Sequence, residues 1–196
     1  GLRELITVHK KVAVATTMQV SETGFTQWSR IEVNKFVDAV IDSAIQNPSD
    51  LFILKGKKNE LSYLSGEVLN RLNEQNNIFT IQSTKPRNLK YDQFEDLLQI
   101  ANIVISMSHT STTIWQAVAE NIPVIAINDA HPPSFLADYE LVEVNSENMA
   151  SAYKAWFDLD AKARAGKLNE LSGRVNIGES GGLSQIAEYI TKSLNR

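Results

Sequence analysis

Six hydroxyl residues fall within eight positions: Ser106, Ser108, Thr110, Ser111, Thr112 and Thr113. Hydroxyls, together with free backbone N–H groups at the start of a helix, bind phosphate oxygens. One helix N-cap uses one such side chain, so the cluster holds more hydroxyls than a cap requires. His109 stands inside it. An imidazole there can donate to a phosphate or move a proton, although a lone histidine on a polar turn is more often simply solvated. A second group of interest is Lys55, Gly56, Lys57 and Lys58, whose lysines can neutralise an anion. Runs of this kind are also common as solvated turns. Asp129, close after the apolar run VIAI, suits a sugar or ribose hydroxyl, or the capping of the turn that follows.

The elements that must carry these residues alternate along the chain. The stretch KVAVATT (residues 11–17) reads as the first strand, ending in Thr16 and Thr17. A long polar loop around Gly24 follows, either functional or packing Phe25 and Trp28 over the sheet. Apolar residues at Val33, Phe36, Val37, Val40, Ile41, Ala44 and Ile45 predict a helix over 31–46, stopped by Asn47-Pro48. LFILK (51–55) is a strand. Leu61, Leu64, Val68, Leu69 and Leu72 predict one helix over 60–73. IFTIQS (78–83) is a strand, and Ser83, Lys85 and Arg87 mark the polar turn after it. A short helix over 93–101 leads into IVIS (103–106), three-quarters β-branched and fit for burial on both faces. A helical pattern runs from Ile114 to Glu120, Asn121 suits a left-handed stop, and Pro123 ends the segment before VIAIN. LVEVN (141–145) reads as a strand, Ser146-Glu147 as a cap, and 148–159 as a helix. Residues 161–178 read as polar surface, irregular or helical, and 183–194 as a last helix. Trp115 and Trp156 fall in helical apolar patterns and are expected in the core.

This order predicts an α/β fold: a Rossmann-like parallel sheet of about six strands with helices on both faces. Residues 1–10 read as a linker or short helix, and 11–196 as one Rossmann-like domain. Right-handed crossovers gather the strand-end loops on one edge of the sheet. Thr17, Lys55, Lys57, the hydroxyl cluster, Asn128, Asp129 and His131 therefore share that edge. It is hydroxyl-rich and cationic although the chain carries a net charge of −4. That local reversal of sign suits an anionic ligand.

Other classes are disfavoured. There is no cysteine, and three scattered histidines at 9, 109 and 131 do not make a zinc site. The acidic balance argues against a nucleic-acid binder, and no apolar run is long enough to span a membrane. Neither GxGxxG nor GxxxxGK[ST] is present, and the serine-rich turn is not GxSxG. No catalytic residue can be assigned.

The run ISMSHTSTTIWQAVAENIPVIAIND (105–129) resembles the donor-nucleotide segment of bacterial GT-B glycosyltransferases that build surface polysaccharides. Those proteins have a strand, a Ser/Thr-rich turn, and a Glu-Ala helix ending in Gly-x-Pro-Val-Ile. Here Gln116-Ala117 stands at the Glu-Ala position and Asn121 at the glycine. His109-Thr110-Ser111 stands at the Phe-Thr-Ser motif of one polysaccharide-biosynthesis group. LFILKGKK resembles the strand and Lys-Gly-His-Pro turn of bacterial sialyltransferase-like enzymes, with Lys57-Lys58 replacing His-Pro. The resemblance covers roughly residues 11–145. It implies one lobe of a GT-B fold, the carboxyl-terminal donor lobe, inactive without an N-terminal acceptor lobe. A nucleotide-sugar would be its substrate, of hexosyl or sialyl/Kdo type, with no cofactor or metal required. Ser108, Thr110, Ser111 and Thr112 would then hold phosphate, Lys55 and Lys57 neutralise it, and Gln116 meet the ribose. The implied location is cytoplasmic, with attachment at the inner membrane face left open. Two alternatives stand beside it: a non-catalytic binding or assembly module, and a sugar-nucleotide epimerase-like domain.

Overall fold

A computed structural model describes residues 2–20, 28–57, 60–81, 93–108, 111–129 and 131–175. Six parallel strands form one sheet: β1 (Val12–Thr16), β2 (Leu51–Lys55), β3 (Ile78–Ile81), β4 (Ile103–Ser106), β5 (Val124–Ile127) and β6 (Glu143–Val144). Their spatial order is β3-β2-β1-β4-β5-β6. The chain reverses its direction of winding between β1 and β4, and open α/β sheets bind ligands at such a switch point. β1, β2, β4 and β5 are apolar and almost wholly buried, as strands covered on both faces must be.

Helices cover the sheet in two layers. α2 (Arg30–Gln46) packs against α3 (Gly66–Asn73) and α6 (Met149–Asp158). α5 (Thr112–Ala119) packs against α7 (Ala161–Val175) and on β4 and β5. Between β3 and β4 lies α4 (Phe94–Leu98), with Phe94 and Leu97 buried. α2 begins with a capping box: Ser29 Oγ accepts from Glu32 N, and the Glu32 carboxylate accepts from Ser29 N at 2.6 Å.

The register levels the carboxyl ends of the central strands. Thr16 pairs with Lys55 on one side and with Ser106 on the other, while Lys55 pairs with Ile81 and Ser106 with Ala126. The opposite end is pinned by a buried polar group. Tyr153 of α6 donates from its hydroxyl to Asp50 Oδ2 at 2.9 Å, with Asp50 only 3% exposed. Asn77 donates to Ala44 O and Asp50 O, both at 3.0 Å, and ties the end of α2 to the strand ends.

Several expectations are corrected. The helix expected over 60–73 is broken into a 3-10 turn, Glu60–Tyr63, and α3. Asn34 of α2 donates to Tyr63 O and accepts from Ser65 N, and Ser65 then caps α3 through Val68 N. These bonds reward a break that hydrophobic spacing cannot register. The strand expected over 141–145 shrinks to two residues, because Leu141 is held at φ 71° in a turn closed by Val142 N to Tyr139 O. Asn145 caps a 3-10 turn (Ser146–Asn148) by accepting from Asn148 N, and α6 follows with Asn148 as its N-cap and no side-chain cap bond. α5 starts at Thr112, two residues before the apolar pattern does. Asn121 does adopt the left-handed conformation, at φ 56°. Trp156 is buried, but Trp115 is only half-buried and stacks on Phe135 with ring centroids 5.7 Å apart. Of the two expectations for residues 1–10, the short helix is the one present, as Leu2–Val8. Leu2, Leu5 and Ile6 of this helix pack against the core. The expected helix at 183–194 lies outside the described residues.

Candidate functional site

The floor of the site is the row Lys55–Thr16–Ser106. Just beyond it the chain turns away from the sheet at Thr17, Gly56 and Met107, whose N–H groups donate to Lys55 O, Ile81 O and Thr16 O. Ladder bonds thus continue one residue past the strands and hold the loops' first atoms in place. Lys57 N donates to Thr17 Oγ1 at 3.4 Å, which brings the exposed Lys57 to the rim beside β1. Thr17 is buried and Lys55 half-buried.

α5 rises from this floor with its N-terminus toward the β1–β4 crevice. Ser111 is its N-cap, accepting from Thr113 N, and Ser111 Oγ lies 2.7 Å from Thr113 Oγ1. Thr113 Oγ1 in turn lies 3.4 Å from Thr16 Oγ1. Three hydroxyls therefore run in a chain from the cap of α5 to the end of β1. Thr112, the first helical residue, is exposed. The first turn of α5 holds no acidic residue, like those of α6 and α7 and unlike those of α2, α3 and α4. The positive end of the helix dipole is thus left uncompensated where the crevice opens, which suits an anion.

Sequence-singled residues divide by their surroundings. Thr17, Gly56, Lys57, Ser111 and Thr112 converge around the floor and the α5 cap. Ser108 is fully buried, and its N–H and carbonyl are both bonded to Ser106 Oγ, at 3.3 and 3.0 Å. It shapes the turn from within. Gln116, on the fifth residue of α5, donates from Nε2 to Glu95 Oε1 of α4 at 3.0 Å. Asp129 Oδ1 accepts from Ser146 N at 2.7 Å and so fastens the end of β5 to the start of the turn before α6. His109, Thr110, Lys58, Ser83, Lys85, Arg87 and Gly24 lie outside the described residues.

Three sets of contacts enter that chain order alone does not give. Thr113 links the cap to β1. Glu95 of α4 accepts from Gln116 of α5. On the α2 side, Trp28 packs edge-on against His131, with centroids 4.9 Å apart, and His131 Nε2 lies 3.9 Å from Glu32 Oε1. The Ser29-x-x-Glu32 capping box was a visible signal for Glu32. Nothing local announced Glu95 or the approach of Trp28 to His131. Among the described residues no group of three or more histidine and carboxylate side chains could hold a metal ion. No helix among them is long and apolar enough to cross a membrane.

Residues 73–170 match the model of a family described as a family of unknown function, DUF6365. The chain belongs to this family. No curated protein sequence matches it. Solved structures match it throughout. The C-terminal domain of a group 1 glycosyl transferase family protein from Francisella tularensis superposes with a TM-score of 0.59 at 15% identity, covering 87% of this chain and 88% of that one. The α,α-trehalose 6-phosphate synthase of Burkholderia multivorans gives a TM-score of 0.66 at 12% identity over 99% of this chain and 44% of its own. The UDP-GlcNAc 2-epimerase of Neisseria meningitidis, bound to UDP-GlcNAc, gives 0.59 at 16% identity over 93% and 45%. This chain spans under half the length of those two enzymes. At these identities the likeness establishes the fold: the Rossmann-like lobe of GT-B architecture.

Proposed function

We propose that this chain binds a nucleotide-sugar and serves as the donor lobe of a GT-B type glycosyltransferase, acting in bacterial surface polysaccharide synthesis together with an acceptor-binding lobe. The observation that carries this reading is the uncompensated N-terminus of α5, opening at the β1–β4 switch with a hydroxyl chain beneath it. The diphosphate lies against the first turn of α5, near Ser111 and Thr112, with Lys57 at the rim. Negative charge that develops on the leaving nucleotide is stabilised there by fixed N–H dipoles and lysine, and the sugar is positioned for attack from the other lobe. The acceptor's base comes from outside this chain, so alone it binds donor and transfers little. The three similar structures are proteins whose names carry glycosyl transfer, trehalose 6-phosphate synthesis or UDP-GlcNAc epimerisation, and this supports the ligand class.

The test is calorimetric titration of the chain with UDP, GDP, CMP and their sugar conjugates, beside thermal unfolding with each ligand. A ligand that binds the folded state raises the unfolding temperature with its saturation. Saturable binding of one nucleotide is expected. Silence of the whole panel at millimolar ligand would overturn the reading and leave a binding or assembly module in its place.

One observation favours a second reading. Glu32 and His131 bring a carboxylate and an imidazole together on the α2 side of the crevice, a pairing suited to proton transfer at a sugar carbon, as an epimerase requires. Deuterium uptake from heavy water into a bound UDP-sugar, lost in His131→Asn, would support the epimerase reading over the transferase.

A further inference from the structure

A second cavity lies beside the buried Asp50, at the end of the sheet opposite the β1–β4 crevice. Its volume is about 460 Å³, within the roughly 300–1,000 Å³ usual for small-molecule sites. Lys11, the residue before β1, forms one side, and Gln46 and Asn47 at the end of α2 form another. The third side is a stripe of α6. Ala150, Lys154, Phe157 and Asp158 stand there at the three- and four-residue spacing that shares a helix face.

The polar groups of this cavity differ in how far the protein already uses them. Lys11 Nζ lies 4.0 Å from Asp50 Oδ2 and 4.0 Å above the Phe157 ring, and Tyr153 donates to the same carboxylate oxygen. The charge of Lys11 is thus answered within the protein. Asn47 Nδ2 donates to Ser43 O at 2.8 Å, which leaves its amide oxygen. Gln46, Lys154 and Asp158 are exposed, and among the described residues no hydrogen bond or ion pair engages their side chains. They offer a ligand an amide, an ammonium and a carboxylate, while Ala150 and Phe157 offer apolar surface.

That mixture narrows the ligand's chemistry. A cation meets two ammonium groups. A bare anion meets Lys154 alone, since Lys11 is held by Asp50, and Asp158 repels it. An apolar ligand strips water from charged and amide groups without replacing their hydrogen bonds. The ligand that fits carries several hydroxyls, which donate to Asp158 and the amide oxygens and accept from the Gln46 amide. It also carries one acid group for Lys154 and a C–H face for Ala150 and Phe157. A sugar acid has all three.

We propose that this cavity is a second ligand site and takes an acidic saccharide, one bearing a carboxylate or a phosphate ester. Lys154 meets the acid, Asp158 and Gln46 meet hydroxyls, and Phe157 packs on the C–H face of the sugar ring. The site is separate from the β1–β4 crevice and stands whether or not that crevice binds a nucleotide.

The experiment titrates the full chain with glucuronate, glucose 6-phosphate, glucose and inorganic phosphate, and follows backbone amide shifts by NMR. Both acidic sugars are expected to give saturable shifts at residues 46–47 and 150–158. Glucose is expected to bind there about two- to fivefold more weakly, the worth of an exposed ion pair, and phosphate more weakly still. Lys154→Ala should erase the preference for glucuronate over glucose. Asp158→Asn should weaken all three sugars by about fivefold and leave phosphate no weaker. Both residues are exposed, and the amide spectrum of each variant reports directly that it is folded. Absence of saturable shifts at these residues with millimolar sugar acid would overturn the proposal. So would phosphate binding as tightly as the sugar acids, which would make the cavity a plain anion patch. Shifts confined to the first turn of α5 would place the sugars in the crevice and equally overturn it.

Discussion

Replacing Thr112 by aspartate should move stability and ligand affinity in opposite directions. Thr112 is the first helical residue of α5, it is exposed, and no acid shares its turn. A carboxylate there compensates the helix dipole and should stabilise the unliganded protein by about 0.3–1 kcal/mol. For a domain of this size that is a rise of about 1–4 °C in unfolding temperature. The same charge faces the proposed phosphate. At about 6 Å and an effective dielectric constant of about 20, a unit pair interacts by about 2.8 kcal/mol. Physiological salt, with a screening length of about 8 Å, cuts this to about 1.3 kcal/mol. Against two phosphate charges the penalty is about 2.6 kcal/mol, or about eightyfold in affinity. Thr112→Asn serves as the uncharged control and should leave affinity within about threefold, since no charge is added. The assay is thermal unfolding without ligand together with calorimetric titration of UDP at two salt concentrations. A Thr112→Asp protein that binds UDP within threefold of the original would refute the placement of the anion at α5. A fall in its unliganded unfolding temperature would refute the account of an uncompensated helix end.

The remaining predictions concern the frame that holds the site. Tyr153→Phe removes the hydroxyl bonded to the buried Asp50 and should cost about 1.5–3 kcal/mol, read as a lower denaturation midpoint with an unchanged slope. Burial first, and Asp50 beside it, push the Tyr153 pKa above the ordinary tyrosine range. Its contribution is therefore fully present below a pH of about 10 and is lost as the pH rises beyond it, because the unfolded chain releases a proton that the folded one keeps. Tyr153→Phe should flatten the alkaline fall in stability by up to about 1.4 kcal/mol per pH unit, and an unaltered slope would exclude Tyr153 as its source. Asn121, held at φ 56°, should accept glycine with little change, whereas Asn121→Val should lose about 1–2 kcal/mol in chemical denaturation. Equal stability of the two would mean that the helix stop relaxes out of the left-handed region.

The sequence determined the sheet and most of its cover. Short apolar runs at 12–16, 51–55, 103–106 and 124–127 have one stable outcome, burial on both faces, and the 31–46 pattern has one buried stripe. Their alternation dictates parallel strands, which in turn gathers the strand-end residues on one edge. Thr17, Lys57, Ser111 and Thr112 were legible for that reason, since edge membership follows from chain order. Asn121 was legible because its conformational demand is local.

Tertiary structure decided which neighbours those residues meet. Ser108 and Ser111 look alike in sequence, yet one is sealed under the turn and the other caps a helix. The break at 64–65 depends on Asn34, some thirty residues earlier, supplying the hydrogen bonds that a continuous helix would have kept. Trp115 follows the apolar period and still lies half-exposed, because its partner Phe135 comes from a loop whose path no periodicity encodes. Glu95 and Gln116 are 21 residues apart and share no local pattern. Local propensity and periodicity act over a few residues, whereas hydrogen bonds between separate elements form only once packing has fixed their distance. The position of the crevice could therefore be read from the chain, while the donors and acceptors that line it had to be read from the fold.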